Sequence, residues 1–460
     1  MTRTLKATAI AAIASLALAA PAAAKKFEVT ARTDPAPDGC TTQECSLREA
    51  VLAANARSGP DRVVLPKRKT YNLSIDNSIP PGEDEAAEGD LDITDTLRVT
   101  HPGKGRAKVD ANGIDRVFEL FEGGSTIWKR IVVTGGVAPP NPASDGGGGI
   151  RATDSDVTLR RSSVLRNLTE ADFGGGIELV GDAGLAARRS AISYNRSAED
   201  SGAVEAGAGP ISIARSKLVG NVASASGGAL YLDTEEPVRI IRSTIADNQA
   251  QNGPGGGIDL NNGTLSVQGS TIAGNSTTSN GGGIVSFGEL TVVNSTVAGN
   301  RADVNGGGIF SQGDASLNAV TTVRNSAGED GGGLLYAAGG PGFAVANSLV
   351  ALNSAGDFGD DCTGEPFYSR GHNLLGTDAD CNGFDAEGDF ANPNPKIGQL
   401  KNNGGLTQTV KLKKGSPAIN NADKQSAPNK DQRGEKRGRK PDIGAYERIK
   451  KNKKGGKGRN

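Results

Sequence analysis

Residues 280–300 read NGGGIVSFGELTVVNSTVAGN: a Gly triplet, an aliphatic residue, two short alternating runs and an Asn. The same skeleton precedes it as GPGGGIDLNNGTLSVQGSTIAGN and follows it as NGGGIFSQGDASLNAVTTVRN. Counted from the Gly-triplet position, copies begin at Gly147, Gly174, Ser201, Gly227, Gly255, Gly281, Gly306 and Gly331, at spacings of 27, 27, 26, 28, 26, 25 and 25. Asn recurs in step at Asn167, Asn195, Asn221, Asn248, Asn275, Asn300, Asn325 and Asn353. Self-similarity at such a period marks a solenoid, in which each copy stacks only on its neighbours. Each copy offers three short runs of period-two alternation bounded by Gly and Asn, with no helical stretch, and these read as strands. The expectation is an all-β chain: a right-handed parallel β-helix with three short strands per coil and rungs ~4.8 Å apart. Gly is 66 of 460 residues and aromatics are only 4%, which suits an interior of small and β-branched side chains.

Stacking turns equivalent positions into files. The aliphatic residue after the Gly triplet (Ile150, Ile177, Val204, Leu230, Ile258, Ile284, Ile309, Leu334) is expected to face inward. The Asn file has a structural reason, because Asn tolerates left-handed turns and its amide can bond from rung to rung. The next position must then face outward, and reads Arg151, Glu178, Glu205, Tyr231, Asp259, Val285, Phe310, Leu335. Its first five members, Arg151, Glu178, Glu205, Tyr231 and Asp259, form a candidate ligand-binding stripe beside a shallow strip of Gly and Ala. Within it, Glu178 and Glu205 sit one strand spacing apart, close enough for one carboxyl to be raised by the other. They are the candidate catalytic pair for acid–base work on a glycan. Against catalysis, the turns between strands are short and uniform, and an enzyme needs long loops to wall a cleft.

The ends differ from the middle. Arg3 and Lys6, the apolar Ala7–Ala20 and the Ala22–Ala24 site read as a signal peptide over residues 1–24. No later segment approaches the ~18 apolar residues a membrane helix needs. Four cysteines fit an oxidising compartment and allow three pairings. Proximity favours Cys40 with Cys45 and Cys362 with Cys381, the rival being a zinc site that only His101 and His372 could help to complete. Ser46 with Glu49 is a capping box opening a helix whose Leu47, Ala50, Val51 and Ala54 share one face. Between Lys69 and Arg98 stand Asp76, Glu83, Asp84, Glu85, Glu88, Asp90, Asp92 and Asp95 without a base, a run expected to stay solvated. The final RIKKNKKGGKGRN, residues 448–460, is a basic tail able to adhere to anionic polymer by charge.

Several stretches resemble known families. The Gly-plus-Asn repeats over 147–356 are similar to those of polymorphic outer-membrane proteins, which are adhesins, but Ile or Val replaces Phe before the Asn and no barrel follows. CSLREA, at residues 45–50, is identical to the motif of the CSLREA domain of secreted bacterial proteins. Residues 357–447, from GHNLLG through SPAIN to PDIGAYE, resemble the choice-of-anchor Q domain that follows β-helices in surface proteins. Together these resemblances imply a pectin-lyase-like β-helix outside the cell and no established activity. The resulting organisation is a signal peptide (1–24), a CSLREA-type N-terminal helical cap (25–60), a β-helix (61–356, regular coils 147–356), a small C-terminal cap module (357–447) and the tail.

One further motif concerns metal. DADCNGFDAEGD matches an EF-hand loop, making Asp378, Asp380, Asn382 and Asp389 candidate calcium ligands. Flanking helices are missing from the pattern, and Cys381 is assigned to a disulfide. The segment carrying Asp431, Arg433, Asp442 and Glu447 reads as structural ion pairs. No G-x-S-x-G elbow, free thiol or phosphate loop is present, and no aromatic interleaves the basic tail to suggest specific nucleic-acid binding. The sequence thus points to a secreted or cell-surface, monomeric, non-catalytic protein that binds polysaccharide or cell-wall polymer or mediates adhesion. It requires no cofactor beyond optional calcium. The alternative is an extracellular polysaccharide lyase or glycoside hydrolase acting on an acidic glycan.

Overall fold

The computed structural model describes residues 23–76, 86–138, 146–337 and 342–449. The leader expected over 1–24 and the tail over 448–460 lie almost wholly outside them. The chain winds into a parallel β-helix whose strands stack into four sheets of 11, 13, 13 and 8 strands. In one coil, Ile150–Thr153 belongs to the 11-stranded front sheet, Val157–Arg160 to the back sheet, Ser163–Leu165 to the flank sheet and Leu168–Thr169 to the narrow fourth sheet. The three expected strands per coil are therefore joined by a fourth of two residues, immediately after the Asn.

Alternation dictates which side chains enter the core. Ile150 pairs in register with Ile177, Ile177 with Val204, Val204 with Leu230 and Leu230 with Ile258, and all five are fully buried. Each rung thereby removes several medium-sized side chains from water, at ~1.5–3 kcal/mol apiece. The Asn file is a ladder. From Asn167 to Asn353 each side-chain amide donates to the next Asn Oδ1 at 2.9–3.1 Å, and Asn353 ends it on Asp361 Oδ1. The left-handed residue at this corner is not the Asn itself but the one before it, among them Arg166, Tyr194, Gly220, Asp247 and Gly274. The Asn is needed for its amide, which lies where the backbone turns and would otherwise be left unpaired. A second file, Ser162, Ser190, Ser216, Ser243, Ser270 and Ser295, closes the back-to-flank corner, each hydroxyl accepting from the preceding rung's Ser amide at 3.1–3.2 Å.

The N-terminal end is covered by the helix Leu47–Asn55, with its capping box formed and Leu47, Ala50, Val51 and Ala54 buried. Within it Arg48 is fully buried and bonds Asp34 through Nε at 2.9 Å and Nη2 at 3.0 Å. Disulfides join Cys40 to Cys45 and Cys362 to Cys381. The second one locks the last coil, where Phe367 stacks between Phe343 and Phe384. The C-terminal module departs from its reading as an end cap. Its Ile397, Val410, Leu412, Ile443 and Tyr446 pack along the outer side of the flank sheet, against Ala298, Val323 and Leu349. Gln432 anchors it: its Nε2 donates to Ser270 O at 2.9 Å and its Oε1 accepts from Thr296 Oγ1 at 2.6 Å.

Candidate functional site

The front-sheet file assembles in the expected register, Arg151 beside Glu178, Glu178 beside Glu205, Glu205 beside Tyr231 and Tyr231 beside Asp259. It also extends toward the N-terminus through Glu119 and Asp92. The expected open strip, however, is closed. Glu178 is 6% exposed and Asp259 is 2% exposed. The cause is the turn that carries the Gly triplet, whose first residue takes φ near +60 to +70° and folds back over the strand it precedes. At Gly174 an added Cβ would lie 3.0 Å from the Cβ of Glu178, so the glycine that suggested access is what lets the backbone lie on top.

Inside this cover the charges are unevenly matched. Arg151 bridges two carboxylates, Glu119 Oε1 at 2.6 Å and Glu178 Oε2 at 3.1 Å. Burial pushes the Glu178 carboxyl up to about 7 even though Arg151 pulls it down. Glu205 Oε2 and Asp259 Oδ1 are buried without a hydrogen-bond partner. Burial, then Asp200, Glu178 and Asp259, hold Glu205 well above the usual carboxylate range. Burial and Asp200 bring Asp259 to about 8. Tyr231, between them, is raised for the same reasons. At neutral pH this file is a row of largely protonated carboxyls. Like-charge repulsion contributes as expected, but dehydration under the turns dominates.

The acidic run expected to stay in solvent is partly built into the leading coils. Asp90, Asp92 and Glu119 each offer an oxygen within 4.8 Å of the others. Arg116 lies among them, 3.5 Å from Asp90 and in close contact with Glu119, so guanidinium charge already serves this cluster. Glu83, Asp84 and Glu85 fall outside the described residues. The 378–389 loop lacks the EF-hand frame: no helix flanks it, and its ligand positions are otherwise engaged. Asp389 Oδ1 accepts from the Asn373 amide at 2.8 Å and Asp389 also bonds Ser369 Oγ, while Asp380 Oδ2 accepts from Gly359 N at 3.1 Å. Asp378 and Asn382 belong to turns closed around Cys381 rather than to a shared ion cavity, Asp378 O accepting from Cys381 N at 3.2 Å and Asn382 O from Phe367 N at 3.0 Å. In the module, Asp431 pairs with Arg433 at 2.7 Å and Glu447 with Arg437 at 3.5 Å, while Asp442 accepts from the amides of Asn420 and Arg448, so this segment is structural as read.

The open face lies elsewhere, on the back sheet. Thr158, Ala186 and Ser212 stand in register at its centre, and their small side chains floor a shallow groove across successive rungs. One wall is Asp156, Pro210, Glu236 and Pro237. The other is basic, Arg160 and Arg188 with the corner residues Arg161 and Arg189 behind them. This face was missed in the strand-by-strand reading. Its signal was present as the recurring Arg-Ser at Arg161, Arg189, Arg215 and Arg242, in step with the repeat.

Comparison with known proteins agrees with the fold. The family described as the right handed beta helix region matches residues 141–297. The chain is thus a right-handed parallel β-helix protein. Among solved structures it is similar to the crystal structure of pectate lyase Pel9A, at 14% identity and a TM-score of 0.44, covering 93% of this chain and 98% of that one. No curated protein matches the sequence.

Proposed function

We propose that this protein is a secreted or cell-surface β-helix that binds polysaccharide without cleaving it. The observation that carries this reading is the back-sheet groove: a flat, loop-free floor of Thr158, Ala186 and Ser212, open along several rungs. An extended chain of sugars laid across such rungs meets the same small polar surface at every step. The candidate acid–base pair does not offer a competing site, since Glu178 is bound by Arg151 and Glu205 Oε2 is shut beneath the turns. Both disulfides and the leader-like residues 1–24 support an oxidising, extracytoplasmic setting.

A lyase or hydrolase is the second reading, favoured by one observation: burial places the Glu178 carboxyl at about 7, where a general acid or base works best. The test is purified Lys25–Asn460 incubated with acidic and neutral polysaccharides. Unsaturated uronate and new reducing ends are followed, and the protein is co-sedimented with the polymers in the same tubes. Sedimentation without product is the expected result. Product that disappears in Glu178→Gln/Glu205→Gln would replace binding by catalysis.

A further inference from the structure

The corner between back and flank sheets bears a file of arginines in a backbone conformation arginine does not favour. Arg130, Arg161, Arg189, Arg215 and Arg242 occupy it on successive coils, with φ of 61°, 55°, 53°, 53° and 50°. A non-glycine residue held left-handed costs about 1–2 kcal/mol, least for Asn and least of all for Gly. Later coils use the favoured residues at this position, Gly269, Asn294 and Asn347. Five arginines where the local backbone prefers Gly or Asn are a conflict between levels of structure, and such conflicts collect at functional sites.

The file is also electrostatically unspent. Lys129, Arg160 and Arg188 stand beside it on the adjoining strand ends, in register with one another. Among the described residues no carboxylate pairs with Arg160, Arg161, Arg188, Arg189, Arg215 or Arg242, and these six side chains are exposed. A surface needing only solubility would intersperse acids here; this one stacks like charges ~4.8 Å apart.

We propose that this corner is the docking rail for a linear polyuronate, a polysaccharide with a carboxylate on each sugar, laid along the helix axis so that successive carboxylates meet successive guanidiniums. The inference rests on the polysaccharide-binding reading above and adds the face, the charge class and the direction of the chain. Guanidinium forks match carboxylates in paired hydrogen bonds. Two features favour a polysaccharide over nucleic acid. The hollow between the rail and the back sheet is lined by Thr158, Ala186, Ala187, Ser212 and Ala214, with no aromatic on which a base could stack. The rung spacing of ~4.8 Å also exceeds the ~3.4 Å between phosphates along one strand of a duplex.

The test is titration of full-length protein with alginate-derived oligouronates of increasing length, with neutral dextran as control. The same titrations are run on Arg161→Asn/Arg189→Asn/Arg215→Asn. Because Asn already serves at 294 and 347, the triple variant should fold, which circular dichroism and Tm verify. Affinity is expected to rise with length until the oligomer spans the five rungs, roughly 20 Å. It should fall about tenfold or more in the variant, consistent with a few exposed ion pairs. Its dependence on salt should become shallower. Oligouronate binding that is unchanged in the folded variant overturns the rail while polysaccharide binding stands. Absence of binding to every polysaccharide overturns both. Displacement of the oligouronate by duplex DNA at equal charge concentration overturns the choice of partner.

Discussion

The first and second halves of this solenoid share one backbone and differ in what they place on it. On the front file, Glu119, Arg151, Glu178, Glu205, Tyr231 and Asp259 give way to Val285, Phe310 and Leu335, which form a small apolar cluster of their own. At the back corner, five arginines give way to Gly269, Asn294, Ala319 and Asn347, all buried. Both changes fall within about one coil. The corner changes where the C-terminal module begins: Asn294 Nδ2 donates to Lys430 O at 2.8 Å, and Asn347 Oδ1 accepts from Asp423 N at 2.7 Å. The second half is thus optimised for being covered. The first half keeps strained arginines and unpaired carboxyls, features a stability-driven sequence would lose. Function belongs with the half that departs from the local optimum.

The contrast on the front file is tested most severely by exchanging characters across it. Phe310→Asp puts an unpartnered carboxylate into the apolar cluster and forfeits a buried ring, and should destabilise by about 4 kcal/mol in urea unfolding. The opposite exchange, Glu205→Leu, should raise stability by about 1 kcal/mol or more. Equal and opposite results from the two would mean the halves do not differ as described.

A milder probe is pH. Glu178 and Asp259 have carboxyls raised from 4.5 to about 7 and from 3.8 to about 8. Their folded forms therefore hold protons more tightly than the unfolded chain does. The stability they confer is complete below about pH 4 and is lost as pH climbs through 7 to 8, a change of a few kcal/mol. Calorimetry between pH 5 and 9 should show Tm falling with pH, and Asp259→Asn should flatten the upper part of the profile. A Tm that climbs over this interval would contradict the dehydrated file.

The smallest effect concerns the corner. Arg215→Gly removes the left-handed penalty and should raise stability by about 1 kcal/mol, read as a small increase in Tm. Asn294→Arg should do the reverse and more, since it also displaces Lys430 from its hydrogen bond. If Arg215→Gly destabilises, arginine holds the corner together and the two halves are built alike.

Much of this was legible from residues alone. The repeat, the inward aliphatic file, the rung-to-rung Asn amides, the capping box at Ser46 and both disulfides follow from period, alternation and spacing, which act between near neighbours or between equivalent positions of identical coils. The order of residues along the front file was likewise readable, down to Glu178 beside Glu205. Whether that file faces water was not. Exposure there depends on where the Gly-triplet turn lies, and a glycine that permits access also permits the backbone to fold over. The placement of the C-terminal module on the flank escaped for a similar reason, since its contacts join Gln432 to Ser270 across 162 residues. The arginine rail lay between: its Arg-Ser period is in the sequence, but its meaning required knowing that each arginine is left-handed, exposed and without a counter-charge.

The sequence by itself determined a stacked right-handed β-helix and the files along it, because hydrophobic alternation and a constant period leave one way to bury the apolar residues. Only the tertiary structure decided which file is sealed and which is open, because solvent access is set by turns and by a distant module whose positions no local pattern encodes.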